Sequence, residues 1–182
     1  AKRAKKGLHY IISDELSAVI EGETDAEGGR LIRLCYEGIF EEVLDRAGQV
    51  PLPPYITERL DDRERYQTVY ARQSGSAAAP TAGLHFTDAL LSSIRAHGVD
   101  IADVLLHVGL GTFRPVAEKN IEEHVMHAEY YEVTQDAADR INAARARGGR
   151  IVAVGTTSCR TLESVTDAAG VVHAGKGWTE IY

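Results

Sequence analysis

Three prolines in four residues, Pro51, Pro53 and Pro54 in "QVPLPPYI" (49–56), constrain this chain more than any other stretch. Each fixes its own φ and removes a backbone donor, and each pushes the preceding residue away from helix. No helix or central strand crosses such a segment, so an extended connector is expected there. The chain then reads as two parts, 1–50 and 51–182.

The first part reads as antiparallel β. Leu8, Tyr10 and Ile12 alternate, as do Leu16, Ala18 and Ile20, and "RLIRLCY" (30–36) continues the pattern after the turn "TDAEGG" (24–29). Three such strands cannot close on themselves, so part of a β-barrel domain is expected. Residues 37–47 read as a short helix stopped at Gly48.

The second part changes period. Thr87 caps a helix that runs to His97 and stops at Gly98, with Leu90, Leu91 and Ile94 inward. "DIADVLLHVGLG" (100–111) and "HAEYYEV" (127–133) read as strands. Thr134 caps a second helix, which ends at Gly148 and Gly149. "RIVAVG" (150–155) reads as a strand buried on both faces, and "TTSCRTLESV" (156–165) as the helix after it. Strand and helix alternating in this way predict an α/β fold: a mostly parallel sheet with flanking helices, beside part of an antiparallel β-barrel domain.

Composition narrows the function classes. The chain is 44% hydrophobic and 26% charged, enough for a packed core. No apolar run reaches the length of a membrane span, and no signal peptide is evident. Two cysteines, Cys35 and Cys159, are too few for a disulfide scaffold and suit the cytoplasm. The net charge of −7 argues against nucleic acid in general. A local patch escapes that argument, and Arg140, Arg145, Arg147 and Arg150 cluster in sequence. A solvated helix end accounts for them equally well.

Four stretches carry candidate chemistry. In "GTTSCR" (155–160), Thr156, Thr157 and Ser158 open a helix after an apolar run. They either cap it or hold an anion or sugar hydroxyls at its N-terminus. In "LHVGLGTFRPV" (106–116), Gly109 and Gly111 let backbone approach a ligand, with Thr112 beside them, and Arg114 offers a fork for an anion. The third glycine of a dinucleotide fingerprint is missing. "HVMHAE" (124–129) suggests metal ligands, but His124, His127 and Glu129 do not match the H-E-x-x-H spacing, and no metal is expected. In "APTAGLHF" (79–86), Pro80 and Gly83 shape a tight loop with Thr81, and His85 is an imidazole suited to acid–base work. All four lie at predicted strand ends or helix starts, where open sheets bind ligands.

Together these stretches resemble a known family. "YQTVYARQSGSAAAPTAGLHFT" (66–87), "LHVGLGTFRPV" (106–116), "EEHVMHAEYYEV" (122–133) and "GRIVAVGTTSCRTLES" (149–164), with "GQVPLPPYI" (48–56), are similar in order and spacing to the S-adenosylmethionine:tRNA ribosyltransferase-isomerases of queuosine biosynthesis. The resemblance implies an α/β domain with an inserted β-barrel. It implies transfer of the ribosyl part of S-adenosylmethionine to 7-aminomethyl-7-deazaguanine in tRNA, with epoxyqueuosine, adenine and methionine as products. Family members run longer at both ends, so a partial barrel and no counterpart of a C-terminal Asn-Phe-His motif are expected here.

Placed on the matching motifs, His85, His107, His127 and Glu129 are the acid–base candidates. Thr81, Gly83, Gly109, Gly111, Thr112, Thr156, Thr157 and Ser158 would hold the cosubstrate, and Arg114 or Arg160 its carboxylate. S-adenosylmethionine serves as cosubstrate, with no separate cofactor, and tRNA is the partner. Two other readings stand beside this one: a tRNA-binding module without catalysis, and a metal-dependent hydrolase using His124, His127 and Glu129.

Overall fold

The computed structural model describes residues 4–24, 28–53, 56–58, 60, 62–113 and 126–181. It divides into two units, Ala1–Val50 and Pro51–Tyr182.

In the first unit β1 (His9–Ile11), β2 (Leu16–Glu23) and β3 (Arg30–Tyr36) form one antiparallel sheet in that order. Tyr10 faces Ala18, and Ala18 faces Leu34. The alternation seen in the sequence becomes burial here: Leu16, Ala18 and Ile20 of β2 are all buried. The register slips between Ile20 and Gly22, a bulge in the longest strand. Helix α1 (Phe40–Ala47) contributes Val43, which is fully buried, and Gly48 returns its N–H to the Leu44 carbonyl. No closed barrel is present among the described residues; the sheet has three strands.

The second unit corrects the expected fold class. Its sheet, β4 (Leu105–His107), β5 (Glu129–Val133) and β6 (Gly175–Thr179), is antiparallel throughout, in the order β4-β5-β6. Among the described residues there is no parallel pair, so the chain is α+β and not a mostly parallel α/β fold. The overturned element is "RIVAVG". Residues 150–154 belong to no strand, and Val152 is 73% exposed. An apolar run reports side chains that prefer burial; it does not report a neighbouring strand. Without that pairing no parallel crossover forms. The chain instead returns through α3 (Gln135–Ala146), α4 (Gly155–Val165) and a turn closed by the Thr166–Val172 bridge, and β6 pairs antiparallel to β5.

Local signals hold better. Thr87 accepts from the Leu90 N–H at the start of α2 (Asp88–Ala96), and Thr134 accepts from the Ala137 N–H at the start of α3. Gly98 and Gly148 take positive φ just past these two helices, where the chain must turn left-handed. Of the expected inward side chains of α2, Leu91 is buried and Leu90 is exposed. The core gathers Val133, Ala137, Ala138, Ile141 and Val172, with Leu162 and Val165 of α4 packed against it. The Asn142 side chain locks the turn to α3: it donates to the Val172 carbonyl at 2.7 Å and accepts from its N–H at 2.9 Å.

Candidate functional site

The site is built at the ends of β4 and β5 and the first turns of α4. Beyond β4 the chain enters a 3₁₀ turn, Leu110–Phe113. The segment before it is clamped to a distant loop. Ser76 Oγ accepts from the Val108 N–H at 2.8 Å, and the Ala77 N–H donates to the Val108 carbonyl at 2.8 Å. Gly75, at φ +140°, lies against the His107 imidazole, so that a Cβ there would meet the ring at 2.8 Å. Only glycine permits both the conformation and the approach. His107 stacks on Tyr130 at 5.9 Å, and Tyr130 meets Trp178 edge-on at 5.8 Å. Its Nδ1 is buried with no hydrogen-bond partner among the described residues.

His127 stands at the other side of the 3₁₀ turn. Its imidazole lies so close to Gly111 that a Cβ at that glycine would overlap ring atom Cδ2. His127 as a residue is exposed.

Glu129 opens β5, and its carboxylate is among the most buried charges of the chain. One oxygen, Oε1, accepts from the Gly109 N–H at 3.0 Å. The other, Oε2, takes Arg160 Nη1 at 2.5 Å, with side chains only 6% and 12% exposed. Arg160 Nη2 also donates to the carbonyls of His127 at 3.1 Å and Thr179 at 3.3 Å. One ion pair thereby ties together the turn after β4, the entry to β5 and the end of β6. Glu129 and Arg160 are 31 residues apart, joined by the fold and not by any local motif.

Residues 81–85 form another 3₁₀ turn, following Pro80. Gly83 is buried against the Tyr70 hydroxyl and Thr68, with no room for a Cβ. Burial, and secondarily the charge of Asp103, push the Tyr70 hydroxyl above its ordinary pKa. Ala82 meets the start of α4: a Cβ at Gly155, which sits at φ +83°, would be 3.2 Å from the Ala82 Cβ. Thr81 and His85 are exposed at the two ends of this turn.

The first turn of α4 is not capped in the expected manner. Its N-cap is Val154, with no side-chain cap. Ser158 Oγ donates to the Val154 carbonyl at 3.0 Å, while Thr156 stays exposed and Thr157 half-buried. Thr112 is exposed in its turn. Arg114 and His124 lie outside the described residues, while residues 126–129 of "HVMHAE" (124–129) are described. Among the described residues no three metal-ligating side chains cluster. Neither does any helix among them have the length and apolarity to cross a membrane.

The fold therefore joins Gly109, Gly111, His127, Glu129 and Arg160 in one network, and sets the 81–85 turn against α4. It also recruits residues that the motifs did not single out: Tyr70, Gly75, Ser76, Tyr130 and Thr179. "SGS" (74–76) carries the same small-residue signal as "APTAG" and would have pointed to Gly75. Nothing in spacing reveals Tyr130 or Thr179.

Comparison with known proteins places the chain. The family model described as queuosine biosynthesis protein matches residues 1–182, and the chain belongs to this family. Among curated relatives it is 59% identical over 181 residues to the S-adenosylmethionine:tRNA ribosyltransferase-isomerase of Desulfitobacterium hafniense. It is 64% identical over 183 residues to the protein of that name from Moorella thermoacetica, and 58% identical over 182 residues to the one from Acetivibrio thermocellus. Each alignment takes in 100% of this chain and 53% of the relative, so the chain spans about half the length of the relatives it matches.

Proposed function

We propose that the protein to which this chain belongs transfers the ribosyl moiety of S-adenosylmethionine onto 7-aminomethyl-7-deazaguanine in tRNA. The transferred group isomerises to give epoxyqueuosine, and adenine and methionine leave. The observation that carries this reading is family membership across residues 1–182, together with the name shared by relatives at 58–64% identity.

The chemistry asks for groups that the site contains. The sulfonium acidifies the adjacent 5′ carbon, so a base must accept a proton there. Adenine departs more readily once protonated, which calls for an acid. The epoxide closes as a sugar oxygen displaces methionine. His85, His107 and His127 are the imidazoles available for these transfers, each worth roughly 10²–10⁴-fold in rate if it acts as an acid–base group. Exposed His127 and His85 can reach a bound ligand directly. Thr81, Gly83, Gly109, Gly111, Thr112, Arg114, Thr156, Thr157 and Ser158 are proposed to line the cosubstrate site. Hydroxyls at the start of α4 suit its ribose and carboxylate. S-adenosylmethionine is cosubstrate, no further cofactor is needed, and the reaction belongs in the cytoplasm with its tRNA.

The test is to incubate the full-length protein with S-adenosylmethionine and tRNA bearing 7-aminomethyl-7-deazaguanine and to measure free adenine. Release that depends on the tRNA supports the reading. Binding of tRNA with no adenine would leave a binding module instead.

A further inference from the structure

Glu129 and Arg160 both carry ionisable groups at the site, and both were open to direct roles: acid or base for one, grip on a ligand carboxylate for the other. Their surroundings point elsewhere. Both Glu129 oxygens already hold protein donors, the Gly109 N–H and Arg160 Nη1. Arg160 Nη2 donates to two carbonyls, those of His127 and Thr179. A guanidinium grips a ligand carboxylate most firmly through two donors on one edge. Each such edge, Nη1–Nη2 or Nε–Nη2, includes Nη2, so neither has both of its donors free. Nε is buried and without a hydrogen-bond partner among the described residues.

We infer that Glu129 and Arg160 are a positioning pair, which fixes His127 against the Gly111 turn for the transfer reaction and does not itself touch substrate. This rests on the transferase reading above. The His127 ring meets the turn at Gly111. On one side of that contact the His127 carbonyl is held by Arg160; on the other, the Gly109 N–H is held by Glu129. The pair thus holds the backbone behind both partners of the contact. It takes its third anchor from Thr179, whose hydroxyl is fixed to Ser164 of α4 at 2.6 Å. Loss of either member frees the same two backbone points, so both losses have one consequence.

The experiment compares Glu129→Gln, Arg160→Gln and the double variant in the full-length protein, following adenine release at varied S-adenosylmethionine. Each single change is expected to lower kcat by about 10–100-fold, the effect of roughly an ångström of misplacement, with little change in KM for S-adenosylmethionine. The double variant should lose no more than the worse single, because the two act as one unit. The pH limb of kcat should move in both singles, which a loss of stability alone would not produce. Should a single variant fail to fold, the double removes the lone buried charge and pairs two amides, and Arg160→Lys keeps the charge while losing the fork. Arg160→Lys should then show the same fall in kcat. The inference is overturned if Arg160→Gln raises KM for S-adenosylmethionine about 100-fold while Glu129→Gln leaves it unchanged, which is the mark of a carboxylate grip. Losses that multiply in the double variant overturn it too. Wild-type adenine release reports on the transferase reading separately. The His127 ring resonances, which need no turnover, should shift alike in both singles.

Discussion

Replacing Gly111 by alanine tests the site at its narrowest point. The added methyl would fall within the His127 imidazole, whose Cδ2 is the nearest atom. Carbon atoms pack at about 3.5–4.0 Å, so the ring must retreat by roughly 1–2 Å. His127 is an exposed residue, so the stability cost should stay near that of an ordinary surface change, about 0.5 kcal/mol or less. Catalysis is more demanding: a misplacement of about 1 Å costs on the order of 10²-fold in rate. Gly111→Ala in the full-length protein should therefore lose about 100-fold in adenine release, while its melting temperature moves by only a few degrees. The assay pair is adenine release and a thermal melt on the same preparation. Wild-type turnover in a folded Gly111→Ala protein would refute the placement of His127 in the chemistry. A collapse in melting temperature would show that the turn, and not the ring, is what the glycine protects.

Three further outcomes follow from the geometry. Gly83→Ala sets a methyl on the Tyr70 hydroxyl and Thr68 in a buried turn, and should destabilise by about 1–3 kcal/mol in urea denaturation, the usual cost of overpacking. The Asp100 carboxyl is held below its ordinary pKa, chiefly by its hydrogen bond to Arg140, so its contribution is present above the unfolded value near 4 and is lost as pH falls through the lower folded value. Wild type and Asp100→Asn should then converge in stability on acidification; a difference that persists below that window would show that the pairing is not its source. Of the four clustered arginines, Arg140 is paired with Asp100 and Arg145 donates to the Gly170 carbonyl, which leaves Arg147 and Arg150 as the phosphate candidates. Arg147→Ala with Arg150→Ala should flatten the salt dependence of tRNA binding by about one unit of slope per lost contact, and an unchanged slope would move the docking face elsewhere.

What could be read from the sequence was local. The threonine caps of α2 and α3 and the glycines beyond these helices depend on side chains within a turn of each other, and spacing encodes them directly. Strand direction does not work that way. "RIVAVG" has the composition of a buried parallel strand, yet Val152 stays exposed, because pairing depends on what lies alongside and not on the strand's own pattern. The site follows the same division. Small residues marked the loops; within them Gly83 and Gly111 leave no room for a Cβ, and the Gly109 N–H donates to Glu129. Which groups meet these glycines was hidden. Glu129 and Arg160 were visible as individual candidates, but their pairing across 31 residues is a product of the antiparallel sheet and α4.

The central claim is that this chain is part of a ribosyltransferase acting on tRNA, and one measurement addresses it most directly. The full-length protein, S-adenosylmethionine and tRNA bearing 7-aminomethyl-7-deazaguanine are mixed, and adenine, methionine and the modified nucleoside are quantified together. The account predicts that the three appear in equal amounts and that none appears when the tRNA lacks the aminomethyl group. A protein that binds the tRNA tightly but leaves S-adenosylmethionine intact would contradict it.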